Sequence, residues 1–324
     1  MSTTDKADKK NKKLRVIFMG TPEFALAGLR ELIAAPDFEI VGVFTQSDKP
    51  VGRQQKLTPP PVKELAVKNG LTVFQPLKIK TAIETIRDLR PDLIVVIAYG
   101  KIIPPEILDI PTYGCVNVHA SLLPKYRGAS CLNAPILNGD KETGVTIMKM
   151  DAGLDTGPIL RQAKIQLNGR ETLADVHDKL SALGAEILLP TLRDFVSGKI
   201  KPEPQDDSLA SYVKILKKED GRIDWTKPAA EIERMIRAYN PWPGTYSEID
   251  ENDDGILKII TVEHDALLIN KQTAGTLFLS DKKLMIQCGQ DALAILKLQL
   301  SGKKIMTAAE FINGNSDLIG KILK

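Results

Sequence analysis

The sequence predicts an α/β protein in two parts, a doubly wound, mostly parallel sheet followed by a smaller β-barrel. Three observations carry that expectation. Apolar strand-like runs alternate with helical segments up to about residue 199. Those runs are apolar throughout, as in strands buried on both faces. Past residue 211 the pattern changes to short alternating segments such as "TYSEID", "LKIITVEHDA", "KLMIQCG" and "ALAILKLQL", which suit a small barrel or sandwich. In these terms the first part is Rossmann-like and the second OB-like.

The elements can be read in order. "LRVIFMG" (14–20) is a strand ending in Gly, and "TPEFALAGLRELIAA" is the helix after it. Thr21 is the expected N-cap, with Pro22 at the first helical position. "EIVGVFTQ" (39–46) is a second strand, followed by a polar stretch at 46–58 and the helix "PPPVKELAVKNG". "LTVFQP" is a third strand, "KTAIETIRDLR" a helix, and "PDLIVVIAYG" (91–100) a fully apolar strand. "YGCVNVHA" is the next strand, with an irregular loop behind it. "CLNAPILNG" reads as helical. "GVTIMKMDA" and "PILRQAKIQL" read as a closing strand pair around "GLDTG". A long helix spans "ETLADVHDKLSALGAEILLPTLRDFVSG", with Leu173, Val176, Leu180, Leu183 and Ile187 at helical spacing. His177 lies on that helix and reads as structural. The resulting domains are a basic tail expected to be disordered (1–13), a catalytic domain (14–199), a linker at "IKPEPQDDSLAS" (200–211) and a C-terminal domain (212–324). The last of these carries one helix, "PAAEIERMIRAYN".

Composition narrows the class. The chain has 324 residues, 43% of them hydrophobic and 26% charged, as in an ordinary globular protein. Its apolar runs are about as long as "LIVVIA" (93–98), too short to span a bilayer, so no membrane partner is expected. The polar, Lys-rich start is a poor secretory signal. Cys115, Cys131 and Cys288 are scattered without a CxxC pair or metal-ligand spacing. They read as reduced thiols of a cytoplasmic protein that holds no metal. The net charge of +3 equals that of the first 13 residues, so the remainder is formally neutral. Bulk charge therefore neither announces nor excludes a nucleic-acid partner.

The first strand-to-helix turn, "FMGTPEFALAG", offers one glycine where a dinucleotide fingerprint needs G-x-G-x-x-G. A nicotinamide-dependent oxidoreductase is disfavoured on that ground. Chemistry is better sought where the strand "CVNVH" ends, because open α/β sheets place their sites at strand carboxyl ends. Asn117 and His119 are two apart and share a side of the strand. A histidine accepts or delivers a proton near neutrality, and an amide N–H steadies a developing oxyanion. The carboxylate such a pair needs is best sought in "MDAGLDTGP", at Asp151 or Asp155. Spacing alone does not show that these groups meet. The plain alternative is that Asn117 caps a turn and His119 bonds a buried carbonyl. Cys115, two residues before Asn117, reads as a core thiol rather than a nucleophile.

"FMGTPEFA", "NVHASLLPKYRGASCLNAPILNGDKETGVTIMKMDAGLDTGPIL" and "DGRIDWTKPAAEIERMIRAYNPWPGTY" together resemble the 10-formyltetrahydrofolate-dependent formyltransferases. Within them, the Trp-containing segments favour the methionyl-tRNA formyltransferase family over the enzymes that act on sugar nucleotides or on glycinamide ribonucleotide. The resemblance runs from about residue 14 to the C-terminus. It implies transfer of a formyl group from 10-formyltetrahydrofolate, as co-substrate, to the α-amino group of initiator methionyl-tRNA. It also implies roles: Asn117 holds the oxyanion, His119 handles protons or charge, and Asp155 orients His119. A water held by His119 and Asp155 is an alternative proton acceptor. Ser121, Leu122, Leu123 and Pro124 would contact the folate, and the strand end with Tyr99, Gly100, Lys101 and Ile102 would wall the pterin pocket.

For the acceptor, the stretch "TQSDKPVGRQQKLTPPP" (45–61) is long for a strand-to-helix connection and carries Lys49, Arg53 and Lys56. On residues alone it is a solvated loop; the resemblance makes it the insertion that enters the acceptor arm. Lys214 and Lys217 are further tRNA candidates, with Lys218, Lys282, Lys283, Lys303 and Lys304 behind them. Residues 212–324 hold 16 basic and 16 acidic side chains, so a basic face there requires segregation. The same chemistry on an amino-sugar nucleotide is the alternative activity, and an RNA-binding protein without catalysis is the reading from another class. The protein is expected to act as a monomer.

Overall fold

The structure, a computed structural model, describes residues 13–52, 54–249, 255–265 and 272–324. The expected tail up to residue 12, and Arg53, lie outside the described residues.

The described residues fall into two compact units. The first runs to Gly128 and adds Thr143–Ile165 and His177–Val213. Its strands in chain order are β1 (Leu14–Gly20), β2 (Phe38–Phe44), β3 (Lys49–Val51), β4 (Lys56–Thr58), β5 (Val73–Phe74), β6 (Leu93–Ile97), β7 (Cys115–His119), β8 (Arg127–Gly128), β9 (Glu142–Lys149), β10 (Ile159–Gln166) and β11 (Tyr212–Val213). Its main sheet has the order β10-β9-β7-β6-β1-β2-β5. The stretch from β5 to β7 is parallel, and β9 runs antiparallel to β7. β6 is buried along its whole length, as its unbroken apolar run requires.

Helices α1 (Leu26–Ala34), α2 (Pro61–Lys68), α3 (Ile83–Asp88), α4 (Pro105–Leu108), α5 (Ala134–Asn138) and α6 (Leu173–Val196) follow in chain order. Gly184 of α6 lies against Val118 and Val145, so α6 covers one face of the sheet. Cys115 belongs to a second cluster with Phe44, Tyr99 and Ile107. Since side chains alternate along a strand, Asn117 and His119 emerge on the face opposite Val118.

Three local expectations change. Thr21 does not cap α1, because a 3-10 turn at Glu23–Ala25 intervenes. Its hydroxyl donates instead to the Tyr99 carbonyl at 3.0 Å, tying two strand ends together. The polar stretch 46–58 contains an antiparallel hairpin, β3 with β4. Residues 200–211 are held to the first unit. Ile159 and Glu203 exchange N–H···O bonds of 2.7 and 2.9 Å, and β11 just beyond runs parallel to β8.

The second unit comprises Ala129–Glu142, Gln166–Val176 and Lys214–Lys324. The first two segments sit inside the stretch assigned from sequence to the catalytic domain. Polar bonds within the unit explain their place. Asn133 donates to the Ala238 carbonyl at 2.7 Å, Arg234 to that of Leu137 at 2.9 Å, and Arg237 to that of Glu171 at 2.6 Å. The remaining elements are α7 (Ala229–Tyr239), β12 (Thr245–Glu248), β13 (Ile256–Asp265), β14 (Leu277–Ser280), β15 (Lys283–Gln287), β16 (Ala292–Leu300), β17 (Met306–Thr307) and α8 (Ala308–Gly314).

The second sheet is antiparallel, in the order β12-β13-β16-β15-β14, with β17 on β16. Main chain at 320–324 joins its two edges. Lys324 and Glu248 exchange bonds of 2.8 and 2.7 Å, Leu323 donates to Gly275 at 2.8 Å, and Gly320 donates to Leu277 at 2.7 Å. Ile223, Trp225, Ile232, Leu257 and Phe311 fill the interior. The Trp225 indole N–H finds the Ser247 hydroxyl at 2.8 Å, and that hydroxyl donates to Lys324 at 2.7 Å. A buried indole needs such a partner.

Candidate active site

The carboxyl end of β7 brings together the groups that spacing alone could not. His119 is buried, and its Nδ1 lies 3.7 Å from Oδ1 of Asp155. Its Nε2 lies 3.0 Å from the Tyr126 carbonyl. A carbonyl only accepts, so Nε2 carries a hydrogen there. In the neutral ring Nδ1 is then a lone pair facing a carboxylate. A second proton, on Nδ1, would turn the contact with Asp155 into an attraction and leave the bond to Tyr126 in place. The two readings of His119, a proton handler and a ring bonded to a carbonyl, are thus one arrangement: the carbonyl sets the tautomer that aims the basic nitrogen at Asp155.

Asp155 is held as firmly. Its Oδ2 accepts the Gly128 N–H at 2.8 Å. Its carbonyl accepts the Gln205 amide at 2.8 Å, and the same amide reaches Gly157 at 2.7 Å. Asp155 has φ +55 and Tyr126 φ +61, a region unusual for residues other than glycine. Asp151, the competing carboxylate, caps its own loop by accepting from Gly153 N–H and from the Thr156 hydroxyl at 2.7 Å. Asn117 is half-buried on β7, opposite Met148 of β9.

The expected folate residues divide into two kinds. Ser121 and Leu123 are buried. The Ser121 hydroxyl donates to the Lys125 carbonyl at 2.7 Å. Thr146 ties the turn by donating to Ser121 O at 2.7 Å and accepting Leu123 N–H at 3.0 Å, and Gln162 donates to Leu123 O at 2.7 Å. Leu122 and Pro124 are half-buried, and the Leu123–Pro124 peptide is cis. The Tyr99 side chain is in the core, where burial pushes its hydroxyl up to about 12. What Tyr99 offers is its carbonyl, bonded by Thr21 and Gln46. Lys101 reaches the carbonyls of Pro76 and Leu77, and burial followed by the charge of Lys49 lowers its pKa. Gly100 is exposed, and Ile102 is 89% exposed.

The two strands of the hairpin, which bear Lys49 and Lys56, are exposed along their length. Asp48 anchors its base, accepting two bonds of 2.8 Å from Lys63 and one from Gln75. These hold the Asp48 carboxyl below its usual range. Lys214 and Lys217 are exposed in the second unit. Lys217 N–H is bonded by Asp220 at 2.6 Å, at the head of a 3-10 turn.

Burial pushes the Cys115 thiol up to about 12, which suits a core residue and not a nucleophile. His177 stacks edge-on against Phe24 and bonds its neighbour Asp178. Among the described residues no group of three or more His, Cys, Asp or Glu is placed to hold a metal ion, and no helix is long and apolar enough to cross a membrane. Sequence reasoning passed over Arg127, Gln205, Thr146 and Gln162. Arg127 stood inside the quoted "KYRG", but Gln205 lay in the segment read as a linker.

A mostly parallel sheet with a His–Asp pair at a strand end is a scaffold that suits a transferase. The chain belongs to the formyltransferase family. The formyl transferase model matches residues 12–192, and the model of its C-terminal domain matches 215–316. A methionyl-tRNA formyltransferase of Trichlorobacter lovleyi is 48% identical over 95% of this chain and 96% of its own. One from Geobacter sulfurreducens is 45% identical over 93% and 94%. Among solved structures, an N-formyltransferase from Helicobacter canadensis in complex with folinic acid and dTDP-3-aminofucose shares the fold. Its TM-score is 0.63 at 21% identity, over 87% of this chain and 99% of that one. HypX of Aquifex aeolicus in complex with tetrahydrofolic acid aligns with TM-score 0.61 at 17% identity, over 93% of this chain and 47% of that one.

Proposed function

We propose that the protein transfers the formyl group of 10-formyltetrahydrofolate to the α-amino group of initiator methionyl-tRNA. The observation that carries the reading is the His119–Asp155 pair, 3.7 Å apart at the end of the strand that also bears Asn117. The amine nitrogen attacks the formyl carbon, the carbonyl π bond opens to an oxyanion, and the bond from carbon to N10 then breaks. Asn117 donates its amide N–H to the oxyanion. The amine loses one proton and N10 gains one. Nδ1 of His119 takes the proton, directly or through a water, and Asp155 stabilises the charged ring. No covalent enzyme intermediate is required.

The Ser121–Pro124 turn and the strand end at Tyr99–Ile102 border the folate in this reading. They do so largely through main chain and the apolar Ile102, since Ser121 and Tyr99 turn inward. Lys49, Arg53 and Lys56 on the hairpin, with Lys214 and Lys217, contact tRNA phosphates. The identity of 45–48% to methionyl-tRNA enzymes, against 21% to the sugar-nucleotide enzyme, favours tRNA over an amino sugar. We place the protein in the cytoplasm as a monomer, without a membrane partner.

The test is formyl transfer by purified protein from 10-formyltetrahydrofolate to charged initiator tRNA, with amino-sugar nucleotides as competitors. Formyl-methionyl-tRNA is the expected product. Transfer to an amino sugar alone would overturn the assignment.

A further inference from the structure

We propose that Arg127 is a positioning residue for formyl transfer, which fixes Asp155 through Gln205 and His119 through its own peptide neighbours. The proposal rests on Asn117, His119 and Asp155 being the catalytic set. Arg127 is only 1% exposed, and a guanidinium is costly to bury unless its donors are satisfied. Its Nε and Nη2 donate to Oε1 of Gln205 at 3.1 and 2.9 Å. Nη2 also donates to Asp207 at 2.6 Å, and Nη1 to the Tyr212 hydroxyl at 3.0 Å. The Asp207 side chain is 81% exposed, so that carboxylate meets the buried guanidinium from the solvent side. The informative partner is neutral Gln205.

Two donors from Arg127 fix which end of the Gln205 amide is oxygen. The NH2 end must then face the Asp155 turn, where it donates to the carbonyls of Asp155 and Gly157. A flipped amide would set donors against donors and acceptors against acceptors. The bonds to Asp155 O and Gly157 O hold a backbone whose φ of +55 an Asp rarely adopts. On either side of Arg127, Tyr126 O receives His119 Nε2 and Gly128 N–H binds Asp155 Oδ2. β8 is locked in place by its pairing with β11 and by the Tyr126 N–H, which donates to Ser211 Oγ at 2.9 Å. One buried cation thus lies between the residues that bond His119 and Asp155 and holds the Gln205 amide against the Asp155 turn.

A purely structural brace makes a different prediction, and Gln205→Glu separates the two. The carboxylate keeps, and strengthens, the link to Arg127. It has no N–H for the Asp155 turn and sets an oxygen against two carbonyls. Full-length Gln205→Glu, Arg127→Lys and Arg127→Met proteins would be compared with wild type for melting temperature, for KM of both substrates, and for kcat across pH. We expect Gln205→Glu to stay folded with a melting temperature near that of wild type, because the stronger link to Arg127 offsets the lost bonds, to lose about tenfold or more in kcat, and to keep both KM values within about twofold. Arg127→Lys should rescue part of the loss of Arg127→Met. A Gln205→Glu kcat within about twofold of wild type overturns the proposal. So does a loss spread equally over kcat and both KM values, which is general loosening. If Arg127→Met does not fold, Gln205→Glu decides alone. His119→Ala is the control: near-full activity there sinks the catalytic reading itself, whereas a dead His119→Ala beside a normal Gln205→Glu sinks only this inference.

Discussion

Two loops leave the carboxyl ends of strands in one sheet, and they are built on opposite plans. The loop after β7, residues 120–128, carries buried residues at Ala120, Ser121, Leu123, Arg127 and Gly128, and its Ser121 hydroxyl, Leu123 N–H and Gly128 N–H are all bonded. The loop after β2 throws out the β3–β4 hairpin, whose six strand residues are all exposed. That hairpin is tied down at Asp48 by Lys63 and Gln75. Proton transfer needs atoms held to a few tenths of an ångström. Phosphate contacts by long basic side chains tolerate looseness, because the attraction is long-ranged and weakly directional. On the proposed function, the difference matches a division of labour in which one loop carries chemistry and the other meets the acceptor.

The largest effect should come from removing the chemistry. His119→Ala or Asp155→Ala should lower kcat by about 10²–10⁴-fold, the usual worth of positioned proton transfer. Circular dichroism and melting temperature should stay near wild type. Near-full activity in either variant would erase the distinction between the loops. Next in size is the acceptor arm. Changing Lys49, Arg53 and Lys56 to Ala should reduce kcat/KM for tRNA by about tenfold or more and flatten its salt dependence, by roughly 0.7–0.9 of a log unit per lost phosphate contact. KM for the folate should not move. Equal loss for both substrates would mean that the arm supports the site rather than the tRNA.

Smallest, and sharpest as a comparison, is one substitution made in each loop. Gly128 has φ +106, and a Cβ there would run into the Val213 carbonyl oxygen. Gly128→Ala should cost about 1–3 kcal/mol in urea unfolding, through strain and clash together. Gly52 has φ +72 with open space around it. Gly52→Ala should cost about 1 kcal/mol or less, from backbone strain alone. Equal costs would show that the two loops are packed alike.

The pattern of legibility follows the same contrast. The succession of strands and helices and the buried β6 were readable because apolar runs and their spacing are local signals. Asn117 and His119 were readable as a pair because two residues apart on a strand is also local. That Asp155 meets His119 was supplied by resemblance, since Asp155 lies 36 positions further on, past an antiparallel strand. Gln205 was invisible. A segment rich in Pro, Asp and Ser reads as a connector, and only tertiary pairing of β8 with β11 turns it into part of the site. Thr21 failed as a cap for a related reason: its hydroxyl is bound to Tyr99 O, 78 residues away.

The pairing of β8 with β11 has a consequence for anyone who would exchange parts between formyltransferases. Residues 120–128 and 203–213 are some 85 positions apart in the chain, yet they form one module joined by one strand pair, a guanidinium and an amide. A graft cut at residue 199 or 200, where the sequence invites the knife, would bring a foreign Gln205 to a native Arg127 or leave it behind. Chimeras that carry both segments across together keep the module whole. Those that divide it lose the native match between Arg127 and the Gln205 amide that bonds the Asp155 turn.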